Sequence, residues 1–240
     1  MGPLFAGALI DGFGHRWAFL GLAFLPLISA WLIHPVAARP TPQGSVASRP
    51  HSWDLLQLAP LRRLLLINWL LATCWDVHTF MIPVLGHDRG LSASAIGAIL
   101  GGFALTAAGI RLILPWVGRS WREWQLIAVA MVCSCVLLFI YPFMSQALSM
   151  GLLSAGLGIF LGMVQPMVVS MLHQISPENR RGEALGLRLM AINASSAVMP
   201  MLMGLLGGAL GVFGVFWSVS ALVGFGARQC WYFKRLPPSE

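Results

Sequence analysis

Seven runs of 18 to 26 predominantly apolar residues constrain this chain more than anything else in it. They lie at 17–34, 64–85, 93–116, 125–143, 147–172, 184–206 and 210–227, lettered here A to G. A helix needs about 20 apolar residues to cross the hydrocarbon core of a bilayer, so each run is long enough for one crossing. A crossing segment finds no water for its backbone polar groups, which leaves only helices and closed barrels. No run alternates polar and apolar residues as a barrel strand would. The expected fold class is therefore all-α: a polytopic membrane helical bundle with seven transmembrane helices. Pro83, Pro115, Pro166 and Pro200 fall inside the runs, and neighbouring helices can satisfy the backbone groups they free. Residues 1–10 add an apolar stretch too short to span. It lacks the basic start and cleavage site of a signal peptide and reads as an N-terminal helix stub.

Only 10% of the 240 residues are charged, against about 25% in soluble domains. That excludes an ordinary soluble domain and a disordered tail. The net charge of +7 does not mark a nucleic-acid partner, because the basic residues are scattered between the apolar runs. Cys74, Cys133, Cys135 and Cys230 show no CxxC spacing and read as small hydrophobes. No metal site and no cofactor are expected.

The basic residues instead carry orientation. Connections A–B, C–D and E–F together with the tail hold eleven, while the opposite side holds only Arg16 and Arg89. This places the A–B connection and the C-terminus in the cytoplasm. Residues 35–63, the one long connection, begin with the linker chemistry of Arg39-Pro40-Thr41-Pro42-Gln43-Gly44-Ser45. From Ser52, the residues Trp53, Leu55, Leu56 and Leu58 suggest a short interfacial helix. The expected organisation is a stub and one helix over 1–34, a cytoplasmic linker over 35–63, a six-helix unit over 64–227 and a cytoplasmic tail over 228–240.

Asp76, Arg111 and Arg188 are the charged residues inside the runs, where a charge costs about 2.5 kcal/mol or more at the bilayer centre. Asp76 lies nearest the middle of its run. Asn68, Ala72, Asp76, Thr79 and Pro83 recur at three- or four-residue spacing and share a helix face that suits a polar cavity. A carboxyl group there can exchange a proton as its access to water alternates, or hold a cationic part of a substrate. His78 lies about 200° further round the helix, as a proton relay or a hydrogen-bonded interface histidine. Arg111 and Arg188 lie about one turn from the cytoplasmic end. There they either snorkel to the headgroups or serve a cytoplasmic gate or an anionic substrate. Small residues recur at three- or four-residue spacing in Gly97, Gly101, Ala104 and Ala108, and at every fourth position in Ser154, Gly158 and Gly162, a pattern for close helix packing. Gln165, Asn193 and Ser196 are polar enough to line a cavity.

No enzyme is expected. Gly90-Leu91-Ser92-Ala93 resembles the serine motif of a rhomboid-type protease, but Ser92 reads more simply as a helix-start serine. HExxH, P-loop and glycine-rich nucleotide motifs are absent from the sequence.

Six helices after a long basic linker resemble the C-terminal half of a major facilitator superfamily transporter. Gly2-Pro3-Leu4-Phe5-Ala6-Gly7-Ala8-Leu9 is similar to the end of the glycine-proline motif in the fifth helix of its antiporter branches. Trp75-Asp76-Val77-His78-Thr79-Phe80, Gly90-Leu91-Ser92-Ala93-Ser94-Ala95-Ile96-Gly97 and Arg180-Arg181-Gly182-Glu183-Ala184-Leu185-Gly186-Leu187-Arg188 resemble bacterial members. The resemblance implies that A to G are the sixth to twelfth helices of a proton-coupled carrier of a small molecule in a bacterial cytoplasmic membrane. It also implies a truncated chain that does not transport alone and that works with an N-terminal half or a second copy. The other reading is a non-transporting membrane assembly or regulatory protein.

Overall fold

The computed structural model describes Trp31, residues 52–117 and residues 121–235. The chain divides into two compact units, Met1–Arg49 and Pro50–Glu240, and the architecture below is that of the second. The stub, most of segment A, the proline-rich linker and residues 236–240 lie outside the described residues.

Five helices are long and apolar enough to cross a membrane among the described residues. They are α1 (Ala59–Asp88), α2 (Ala93–Val117), α3 (Glu123–Ile140), α4 (Ala147–Ile175) and α5 (Arg181–Ala227). Segments B to E map onto α1 to α4 with bounds that differ by up to five residues; segment D, expected to 143, ends as α-helix at Ile140 and continues as a 3-10 turn, Tyr141–Phe143. Segments F and G, expected as two helices, are the two arms of α5. Gly211 divides them at φ 70° and ψ 177°, a backbone conformation open to glycine and strained for residues with a Cβ.

The arms run in opposite directions, as their partners show. Along the first, Arg188 meets Asn68 and Ser195 meets Asp76, so it runs parallel to α1. Along the second, Phe213 packs on Phe143, Trp217 stacks on Phe139 and Ser220 bonds Cys135, so it runs antiparallel to α3. The 3-10 helix that follows it, Arg228–Arg235, reaches the start of α1, where Arg63 bonds Gln229 and lies over the Tyr232 ring.

Local sequence explains the remaining turns. Gly90, at φ 70°, ends α1: its N–H reaches the His87 carbonyl, and that of Leu91 reaches Gly86. This is the Schellman pattern, in which a left-handed glycine satisfies the last carbonyls. Ser92 then caps α2, its hydroxyl accepting from the Ala95 N–H at 3.2 Å, as a helix-start serine should. The short helix expected from Ser52 is a 3-10 helix, Ser52–Gln57. Its Leu55 is buried in the core, while Trp53 and Leu58 are exposed.

The helix α1 is the hub. It carries Ile67, Cys74, Val77 and Ile82 into a core shared with Met131 and Leu138 of α3, Leu157 and Val164 of α4, and Val215, Phe216 and Val223 of α5. The outer α2 packs chiefly on α4. A Cβ at Gly162 would lie 2.6 Å from the Ala107 carbonyl oxygen, and one at Gly158 would meet the Phe103 carbonyl and the Thr106 hydroxyl. Only glycine permits that approach, as the small-residue spacing in α4 predicts.

Candidate functional site

Asp76 lies about 4 Å beyond the midpoint of α1 at 1.5 Å per residue. Its side chain is half-buried and faces the first arm of α5. Ser195 donates to Oδ2 at 3.1 Å and Ser196 to Oδ1 at 3.2 Å. Adjacent residues on a helix point about 100° apart, so this serine pair flanks the carboxylate. Sequence reasoning named Ser196 and missed Ser195, the buried member; the Ser195-Ser196 doublet was the available signal. No cation pairs with Asp76 among the described residues.

The polar face of α1 is not one cavity wall. It emerges along its length: Asn68 is buried, Asp76 half-buried and Thr79 exposed. The Thr79 hydroxyl is spent within the helix on the Trp75 carbonyl at 2.9 Å. Asn193 is also exposed, away from the Asp76 contact.

Asn68 belongs to a second cluster. Arg188 donates from Nε to Asn68 Oδ1 at 3.2 Å and from Nη2 to Gln165 Oε1. Residues from α1, α4 and α5 thus converge, though they are far apart in sequence. Arg188 is 5% exposed, which overturns snorkelling: its guanidinium is turned into the bundle. Both partners are neutral amide carbonyls, and Asn68 Nδ2 has no partner among the described residues.

Arg111 does not snorkel freely either. Its Nε donates to the Gly162 carbonyl at 3.2 Å. Pro166, four residues on, has no N–H to return to that carbonyl, so Arg111 supplies the missing helix donor from α2. Arg111 and Arg188 line one cavity of about 890 Å³ with Gln165, Trp121, His173 and Glu123. Ser170 and Gln174 of α4 donate to Glu123 Oε1 at 3.1 and 3.0 Å.

His78 sits apart, as its position round α1 predicts. It is fully buried and stacks on Phe103 with ring centroids 4.1 Å apart. Its Nε2 lies 2.8 Å from Ser154 Oγ, which lies 2.8 Å from the Tyr141 hydroxyl. Tyr141 gives its proton to the Met150 carbonyl. Ser154 then donates to Tyr141 and accepts from His78 Nε2–H, leaving Nδ1 a buried acceptor without a partner. This network joins α1, α4 and the 3-10 turn Tyr141–Phe143 that follows α3, and Asp76 is not part of it.

Among the described residues no three His, Cys, Asp or Glu side chains converge as a metal site requires. A family model described as Major Facilitator Superfamily matches residues 1–157 and 64–240. No curated protein matches the chain.

Proposed function

The chain belongs to the major facilitator superfamily, and on that premise we propose a proton-coupled secondary transporter of a small molecule, with Asp76 as its proton-carrying group. One observation carries the reading: a half-buried carboxylate near the middle of α1, held by two serine hydroxyls and by no cation among the described residues. A hydroxyl both donates and accepts. Ser195 and Ser196 therefore satisfy the anion as donors, and either rotates to accept from the neutral acid. A lysine or arginine in their place would hold the anion alone. Because the serines belong to α5, each change of protonation alters the contact between α1 and α5.

The transport cavity of this superfamily lies at the midplane between two six-helix halves related by an axis along the membrane normal. We assign the described bundle to one wall. The other wall, a second helical unit or a second copy, would face α2 and α5, whose apolar windows are each only 17% buried. The basic-residue count supports a cytoplasmic side for the Arg111 and Arg188 end, and the resemblance to bacterial members supports an inner membrane.

Membrane vesicles from cells producing the chain, loaded with a pH-sensitive dye, test the coupling. Organic anions, amino acids and sugars are added outside in turn. Substrate-driven proton entry that disappears in Asp76→Asn is the expected result. Substrate flux unaccompanied by proton movement, or proton entry undiminished in Asp76→Asn, would remove Asp76 from the role.

A further inference from the structure

Resting on the transport reading, we infer that the substrate is an organic anion, an apolar or aromatic body bearing a carboxylate, and that Arg111 and Arg188 bind its charge in the cavity they share. The cavity holds about 890 Å³, within the range of about 300–1,000 Å³ usual for small-molecule sites.

Its charge balance selects the sign of the ligand. Neither arginine pairs with a carboxylate; the ion pairs among the described residues are Arg180–Glu183 and Arg181–Glu178. Glu123 is the one acid lining the cavity, and Ser170 and Gln174 hold its Oε1. Two guanidiniums against one carboxylate leave an excess positive charge.

Arg188 makes the case sharper. It is 5% exposed, and a buried ion calls for an opposite charge or a complete set of hydrogen bonds. Asn68 and Gln165 use its Nε–H and one Nη2–H, so Nη1 and the second Nη2–H are left to present the paired N–H groups that a guanidinium offers a carboxylate in a two-pronged fit. Arg111 holds the Gly162 carbonyl through Nε alone, which leaves its terminal nitrogens available too. Trp121, Leu114 and Pro115 supply the apolar wall. The chemistry on each side matches an amphipathic anion and rejects a cation or an uncharged sugar.

The test uses the purified full chain in nanodiscs, with benzoate and its uncharged isostere benzamide as probes and empty discs as the blank. In phosphatidylcholine discs, benzoate should bind at least about tenfold more tightly than benzamide, because a charge-assisted bond to arginine contributes more than a neutral one. Arg188→Gln should weaken benzoate binding about tenfold or more, and Arg188→Lys less. Should buried Arg188→Gln fail to fold, the exposed Arg111→Gln carries the test, with a several-fold loss expected. Equal affinity for the two probes, no saturable benzoate binding up to about 10 mM, or wild-type affinity in Arg111→Gln would overturn the proposal. Benzoate binding abolished in phosphatidylglycerol discs would assign the arginines to acidic lipid headgroups and overturn it equally. Binding is read without a proton gradient, so its failure is distinct from a failure of Asp76 coupling.

Discussion

Two stripes of small residues are spelled alike in this chain and end in opposite surroundings. In α4, Gly158 and Gly162 of the Ser154 stripe press against α2 so closely that a Cβ at Gly162 would lie 2.6 Å from the Ala107 carbonyl oxygen. In α2, Gly97 and Gly101 have no atom of the described residues within 4 Å of where a Cβ would stand. Ala104 and Ala108 of that stripe are exposed. The face of α2 that meets α4 is another one, formed by Phe103, Thr106, Ala107 and Ile110. A small residue at every fourth position thus permits close approach without naming the neighbour. The used stripe builds the bundle. The unused one leaves a surface for the second wall proposed above.

Gly162→Val tests that contrast most severely. The added methyl groups must displace Ala107 backbone, and overpacking of this kind costs about 1–3 kcal/mol or more. A large loss of thermal stability in detergent is expected, whereas Gly101→Val should stay within about 0.5 kcal/mol of wild type. Equal losses in the two variants would break the comparison. If Gly101→Val instead keeps the bundle stable but abolishes vesicle transport, the α2 stripe is sharpened into an interface.

Ser154→Ala removes the polar end of the used stripe. It strands His78 Nε2 in the core and strips one bond from Tyr141, for an expected loss of about 1–2 kcal/mol. Denaturation unchanged from wild type would reduce the His78 network to ordinary packing.

The smallest effects belong to the serines around Asp76. Interhelical hydrogen bonds in membranes contribute about 0.6 kcal/mol on average. Ser195→Ala, at a buried hydroxyl, should approach that loss, and exposed Ser196→Ala should fall below it. The useful reading is functional: removing both should depress proton-coupled flux more than the sum of the single losses, because either hydroxyl can answer a change in Asp76 protonation. Flux in the double variant equal to wild type would show that the carboxylate needs neither.

Much of the fold was legible because a bilayer leaves a chain few choices. Apolar length fixed the helices from α1 to α4 within a few residues, and Gly90 and Ser92 marked a turn that local chemistry alone specifies. Gly211 was harder to read. Glycines crowd Gly204-Leu205-Leu206-Gly207-Gly208-Ala209-Leu210-Gly211, and nothing local says which one reverses the chain. The candidate site divides the same way. Asp76 stands out from its own run, as an unpaired charge at membrane depth must. Arg188 looked like a headgroup anchor because its distance from the helix end allowed one, and only its packing turned it inward.

The sequence by itself determined that this chain is a helical membrane protein of a transporter family. Those features follow from local length, composition and motif, which act within one segment at a time. Tertiary structure alone decided that Arg188 meets Asn68 and Gln165, that Asp76 meets Ser195 and Ser196, and that Arg111 completes the Gly162 carbonyl. Each of those contacts joins residues on different helices, 23 or more positions apart, so its existence depends on which helix faces lie together. Periodicity gives a helix a face. Packing gives that face a partner, and with it a chemistry.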